Sequence, residues 1–212
     1  MSQTITASRK QEEKKQRRKT IMHAALLSFA EKGYKKTNMD EIAQKAQLSV
    51  GAIYNFFPNK DELYLATIKI AFQEFVSLLQ KTAAAEEDFS KIIFKLFRLH
   101  LCCNQYQRFF QSFMEAILGG IITQKPIFFD QLHIFYVKYI ELLEDLFLRF
   151  EESVKNINPH YLSLTFFGLV KAKMIHWMHF QNPTLRNEEM LDKEIVDLSN
   201  HFLLMVGKNE DD

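Results

Sequence analysis

Helix breakers are scarce in this 212-residue chain, which holds six glycines and four prolines. With so few of them, and with Leu, Phe, Lys and Glu abundant, the composition favours helix over sheet. The only two cysteines, Cys102 and Cys103, are adjacent, and neighbours in sequence cannot form a routine structural disulfide with each other. A disulfide-stapled scaffold is therefore excluded, and a reducing, cytoplasmic setting is expected. No apolar run approaches the ~18 residues of a membrane span, and the opening MSQTITASRK has no apolar core of a secretory signal. Catalytic signatures are missing too: there is no nucleophile elbow, no phosphate loop and no pair of carboxylates with a defined role. His176 and His179 are spaced i,i+3, and Cys102 and Cys103 lie near His100, but no closed zinc spacing exists. Neither an enzyme, nor a metal site, nor a cofactor is expected.

What is present is aromatic and unevenly charged. Phe occurs 20 times. The net charge of +1 hides a strong asymmetry: residues 1–60 hold twelve Lys and Arg against five Asp and Glu, a balance of +7, which leaves −6 for residues 61–212. A basic segment ahead of an acidic body fits a polyanion-binding module joined to a different kind of domain. It also fits a solvated basic tail, because seven of the twelve cations fall between Arg9 and Lys19.

Residues 1–14 read as a flexible basic arm. From about Glu13 to Lys32 the apolar positions Ile21, Ala24, Ala25 and Phe29 recur at helical spacing, and Gly33 ends the run. Asn38 then caps a helix over Met39–Ala46, with Glu41 placed to return the bond as in a capping box. A short turn, Gln47-Leu48, leads to Ser49, a second good cap. About two turns of helix follow, with Ile53 and Phe57 as inward anchors at i,i+4, before Pro58 stops them. The outer face of that short helix carries Gly51, Ala52, Tyr54 and Asn55, residues small or flat enough for its backbone to approach a partner closely. Helix, tight turn, helix, with a supporting helix in front, is the layout whose second helix enters the DNA major groove. Asn59 caps a further helix over about 60–81.

Phe29, Gly33-Tyr34, Ile42-Ala43, Ala46, Leu48-Ser49-Val50-Gly51, Ile53-Tyr54, Phe57 and Lys60-Asp61-Glu62-Leu63 together resemble the DNA-binding domain of the tetracycline-repressor (TetR) family. The resemblance covers about residues 15–75, with the helix-turn-helix at about 38–57, and leaves 76–212 as an effector-binding and dimerisation domain. It implies an all-α bacterial regulator of about nine helices. It also implies roles. Val50, Gly51, Ala52 and Asn55, following Ser49, face base edges. Tyr54 and Lys60 hold backbone phosphates, Asn38 beside Thr37 caps the second helix and touches phosphate, and Arg17 and Arg18 add phosphate or minor-groove contacts. From the residues alone, the lesser alternatives are Tyr54 as a core aromatic with a wet hydroxyl and Lys60 as a solvated lysine. Val50 and Ala52 replace the polar residues common at these places, so readout rests on thymine methyls, Asn55, phosphates and DNA shape.

The second half matches no motif. Helices are expected over 89–104, 106–118, 126–154, 159–181 and 187–207. The helix at 159–181 is apolar nearly all round, hence buried all round. Leu191, Ile195, Leu198, Phe202 and Met205 make a coiled-coil-like seam. Polar groups on these greasy helices suit a small-molecule pocket, with Phe94, Phe97, Arg98, Leu101, Phe113, Glu115, Phe135, Tyr139, Phe166 and His176 as its candidates for a hydrophobic effector. The expected protein is a homodimer joined through its last two helices, bound to a near-palindromic double-stranded operator and released by that effector. The alternatives are an architectural or protein-partner DNA-binding protein of the same fold without an effector and, further off, an all-α enzyme.

Overall fold

The computed structural model describes residues 2–102, 126–154, 157–180 and 188–207, with backbone alone at 2–7, 126–127 and 178–180. The helix expected over 106–118 lies outside them. Among the described residues there are eight α-helices, one 3-10 turn and no strand. They are α1 (Ser2–Lys36), α2 (Met39–Ala46), α3 (Val50–Tyr54), α4 (Lys60–Ala84), α5 (Phe89–Cys102), α6 (Pro126–Leu148), α7 (Pro159–Phe180) and α8 (Glu188–Met205), with the 3-10 turn at Glu151–Ser153. They divide into two compact units: residues up to 73 together with Phe128, and residues 74–102 with 129–207.

The first unit is built on α1. Ile21, Ala25 and Phe29 line its inner face and are fully buried, against Ile42 and Ala43 of α2 and the anchors Ile53 and Phe57. Residues 8–14, expected as a flexible arm, continue α1 as exposed helix. Lys, Arg, Gln and Glu are good helix formers, and here they extend a helix already nucleated downstream. Gly33 breaks α1 at φ 74°, ψ 168°, a region that favours glycine, before one further turn to Lys36. Phe29, Tyr34 and Phe128 pack around Tyr64 with ring centroids 4.8, 4.9 and 5.7 Å away, and the Tyr34 hydroxyl donates to Asp61 at the start of α4.

In the second unit α5 packs most extensively against α8 and also against α7. Phe97 and Phe166 meet at 4.6 Å, while Phe202 and Phe147 lie 5.8 and 6.1 Å from Phe166. Burying each such ring contributes roughly 1.5–3 kcal/mol. Asp88 caps α5 by accepting the Lys91 amide at 2.8 Å, and Arg149 donates to the Ala83 carbonyl near the end of α4 at 3.1 Å. Two elements differ from expectation. The helix expected to reach Val154 ends at Leu148, because the Arg149 and Phe150 amides turn to Leu146 and Phe147, three residues back, and tighten the chain into the 3-10 turn. The seam of α8 buries Ile195, Ser199, Phe202 and Val206, whereas Met205 is exposed.

Among the described residues, helix α7 is buried on one side. Leu162, Phe166, Val170 and Trp177 face inward, while Tyr161, Thr165, Ala172 and His176 form an exposed stripe. Among the described residues nothing covers that outer side.

Candidate nucleic-acid interface

The turn between α2 and α3 is set by three local devices. Asn38 accepts the Glu41 amide at 2.8 Å and starts α2. Glu41 does not return the bond expected of a capping box; its carboxylate takes the Lys32 ammonium at 2.8 Å instead. A full charge nine residues away outcompetes a single amide. At the other end of α2, Gln47 adopts the left-handed conformation at φ 56°, ψ 41°. Its amide reaches Gln44 O at 3.1 Å and the Leu48 amide reaches Ala43 O at 3.0 Å, the double closure of a Schellman turn. Ser49 then accepts the Ala52 amide at 3.2 Å and opens α3.

This short helix presents one face inward and one outward. Ile53 and Phe57 are buried, as their spacing predicts. Ser49, Gly51, Tyr54 and Asn55 are exposed, and Val50 and Ala52 half-buried. Tyr54 is 47% exposed, so its ring is no core aromatic. A Cβ built on Gly51 would meet nothing within 4 Å. Nothing among the described residues requires a glycine there.

Other sequence-predicted contacts turn inward. Thr37 is buried, and its hydroxyl sits 2.8 Å from Gly33 O and 3.1 Å from Ser28 O, so it secures the break after α1 and has no surface to offer a phosphate. Lys60 donates to Tyr34 O and Thr37 O, each at 3.0 Å, and its ammonium lies 4.4 Å over the Tyr34 ring. It is neither a solvated lysine nor, in this arrangement, pointed at a phosphate: the last carbonyls of a helix have no amide of the next turn to accept from, and a cation is their natural partner. Arg18 lies 4.8 Å over Phe57, just beyond α3, while Arg17 is exposed.

The candidates for an effector site scatter. Phe97, Leu101, Tyr139 and Phe166 are buried and Phe94 and Phe135 half-buried. Arg98 is exposed in an ion pair with Asp192 rather than directed into a cavity, and His176 is exposed on α7. Phe113 and Glu115 lie outside the described residues. The polar feature that does sit among the buried rings pairs a candidate with His100. The His100 ring stands 2.6 Å from Leu96 O through Nδ1 and 2.6 Å from the Tyr139 hydroxyl through Nε2. A carbonyl only accepts, so Nδ1 carries the proton and Tyr139 donates to Nε2. Burial holds the imidazole neutral, lowering its pKa to about 4, and pushes the Tyr139 phenol up. No group of His, Cys, Asp and Glu among the described residues is placed to hold a metal ion.

Residues 21–67, the stretch that builds this helix-turn-helix, match the family described as bacterial regulatory proteins, tetR family. That stretch is a DNA-binding domain of the TetR family of transcriptional regulators. The chain's similarity to the HTH-type transcriptional regulator YhgD of Bacillus subtilis (strain 168), itself uncharacterised, is 28% identity over 181 residues, 81% of this chain and 89% of that one. The fold matches a transcriptional regulator assigned to the TetR family from Mesorhizobium loti MAFF303099 (TM-score 0.72, 18% identity, 90% and 96% of the chains). It also matches the transcriptional regulator FadR of Bacillus subtilis in complex with stearoyl-CoA (TM-score 0.60, 19% identity, 89% and 97%). At such identities the two structures establish the fold alone. These relatives are regulators, not enzymes, and no described helix is long and apolar enough to cross a membrane.

Proposed function

We propose that this TetR-family protein is a homodimeric repressor that reads a near-palindromic operator through α3 and leaves it when a small hydrophobic effector binds. The observation carrying the DNA half is Gly51. A position whose Cβ would meet nothing among the described residues, on an exposed helix face beside Ala52 and Asn55, suits a surface outside the chain that approaches closely. Val50 and Ala52 then meet apolar base edges, Asn55 reads donors and acceptors, and Tyr54 reaches a phosphate. Two copies place their α3 helices about one turn of duplex (~34 Å) apart.

The dimer reading rests on α7 and α8, whose outer surfaces leave Tyr161 67% and Leu204 55% exposed. A second copy of the same pair would cover them. The effector reading rests on the ring-rich second unit, and the stearoyl-CoA held by the FadR of the same fold makes an acyl group the first class to try. Such a ligand acts only through a difference in affinity between the DNA-bound and free states.

Selection from a pool of random duplexes tests the first half: enrichment of one sequence with two-fold symmetry is expected, and enrichment without symmetry contradicts the dimeric operator. Mass spectrometry of the protein under native conditions tests the second. A stoichiometric co-purified acyl or aromatic compound that weakens DNA binding is expected; a bound compound that leaves DNA affinity unchanged contradicts it.

A further inference from the structure

The stretch that forms α3 carries no charge: from Ser49 to Phe57 there is neither a cation nor an acid. In the major groove guanine is read by Arg or Lys, and the cytosine amino group by Asp or Glu, so α3 has no such side chain for either base. Four cations of the same unit are turned to the protein itself. Lys32 is paired with Glu41 at 2.8 Å and Lys45 with Glu31 at 2.6 Å. Lys60 donates to Tyr34 O and Thr37 O, and the Arg18 guanidinium lies over the Phe57 ring. The Ser49 oxygen is taken up by the Ala52 amide.

What α3 does offer is one amide and small apolar groups. At 100° per residue, Gly51, Asn55 and Ala52 fall within about 100° of arc. Gly51 and Asn55 are exposed and Ala52 is half-buried. Val50, also half-buried, is the first residue of the helix, and its Cα–Cβ bond tilts toward the N-terminal end that enters the groove. Asn55 can hydrogen-bond a base, whereas Val50 and Ala52 make apolar contact alone. The apolar group that a base pair shows in the major groove is the methyl on C5 of thymine. 5-Methylcytosine carries the same methyl on the same carbon. The two pyrimidines differ at C4, which bears an oxygen in one and an amino group in the other. An aliphatic side chain has no donor or acceptor with which to tell these apart.

We propose that α3 responds to base methylation: Val50 and Ala52 take the C5-methyl group of 5-methylcytosine as they take that of thymine, so that cytosine methylation at those positions of the operator strengthens binding. This rests on the DNA-binding reading and adds to it a chemical modification of the duplex to which the protein is sensitive. Burying one methyl group is worth about fourfold in affinity, and the same contact in both half-sites about fifteenfold.

The full chain and the duplex it enriches from a random pool provide the test. Each thymine, with its symmetry mate where it has one, is replaced by uracil, which lacks only the methyl. At one position or more the replacement should weaken binding by those factors. Cytosine opposite guanine is then placed at that position with and without its C5-methyl, and the methylated duplex should bind more tightly by a similar factor. In the double variant Val50→Ala, Ala52→Gly both ratios should fall to within about twofold of one, since the methyl then meets less apolar surface. A ratio between two duplexes for one variant is blind to a loss of folded protein, so a destabilised α3 still gives an answer. Uracil at every thymine without loss of affinity would overturn the proposal. So would a thymine preference that the double variant keeps, or one that 5-methylcytosine does not reproduce. If the unaltered chain enriches no duplex, the DNA-binding reading itself fails, a result distinct from each of these.

Discussion

The Ser49 hydroxyl accepts the Ala52 amide at 3.2 Å, and this bond starts a recognition helix of only five residues. So short a helix cannot nucleate by itself, and its position depends on the cap at one end and the Ile53 and Phe57 anchors at the other. Ser49→Ala should cost about 1 kcal/mol of stability, read as a lower denaturant midpoint. Ser49→Asp keeps a capping oxygen and should melt as the unaltered protein does. It should still lose DNA affinity by tenfold or more, because it adds a negative charge to the face turned to phosphates. A stable Ser49→Asp variant with full affinity would place that face away from DNA.

Tyr54 exposes its ring, so Tyr54→Phe should leave stability within about 0.5 kcal/mol. If its hydroxyl holds a phosphate, as proposed, the substitution should cut affinity roughly tenfold and equally for specific and random duplexes. Titration of both duplexes at one salt concentration separates this from a base contact, which would lower the first affinity alone.

Lys60 joins the end of α1 to the start of α4 through Tyr34 O and Thr37 O. Hydrogen bonds from a charged group are worth about 1.5–3 kcal/mol, so Lys60→Met should lower the unfolding free energy by an amount in that range, read as a lower denaturant midpoint. A midpoint that does not move would mean the ammonium points outward in solution, as the family resemblance implies.

The pair of His100 and Tyr139 gives the second unit a pH dependence. Burial lowers the pKa of His100 in the folded chain to about 4, below the 6.5 of an exposed imidazole. Between those values the unfolded chain binds a proton that the folded chain does not, so stability is full above pH 6.5 and falls as pH drops toward 4. The loss reaches about 3 kcal/mol at 1.36 kcal/mol per unit. Chemical denaturation at pH 7.5 and pH 4.5 reads the difference, and His100→Phe should shrink it. Tyr139→Phe leaves Nε2 buried without its donor and should cost about 1–3 kcal/mol at neutral pH.

Local chemistry was legible in the sequence and long-range pairing was not. Asn38, Ser49 and Asn59 cap the helices that their residue types predict, because a cap needs only an amide three residues on. Ile53 and Phe57 are buried for the same local reason. Glu41, Thr37 and Lys60 were each assigned partners nearby or outside. Their actual partners, Lys32, Gly33 O and Tyr34 O, depend on where α1 ends and how α4 returns to it. Arg98 shows the limit most plainly, since its partner Asp192 is 94 residues away. Gln47 was missed as a left-handed turn residue because glycine or asparagine is the usual signal there.

The account turns on Gly51 facing DNA at close range, and the dissociation constant of Gly51→Leu for the selected duplex tests that most directly. Leucine meets open space in the free chain and is the better helix former, so the variant should melt at or slightly above the unaltered protein. Its affinity for the duplex should fall by a factor of ten or more, about 1.4 kcal/mol. A variant that folds normally and binds the duplex as tightly as before would contradict the placement of α3 in the groove.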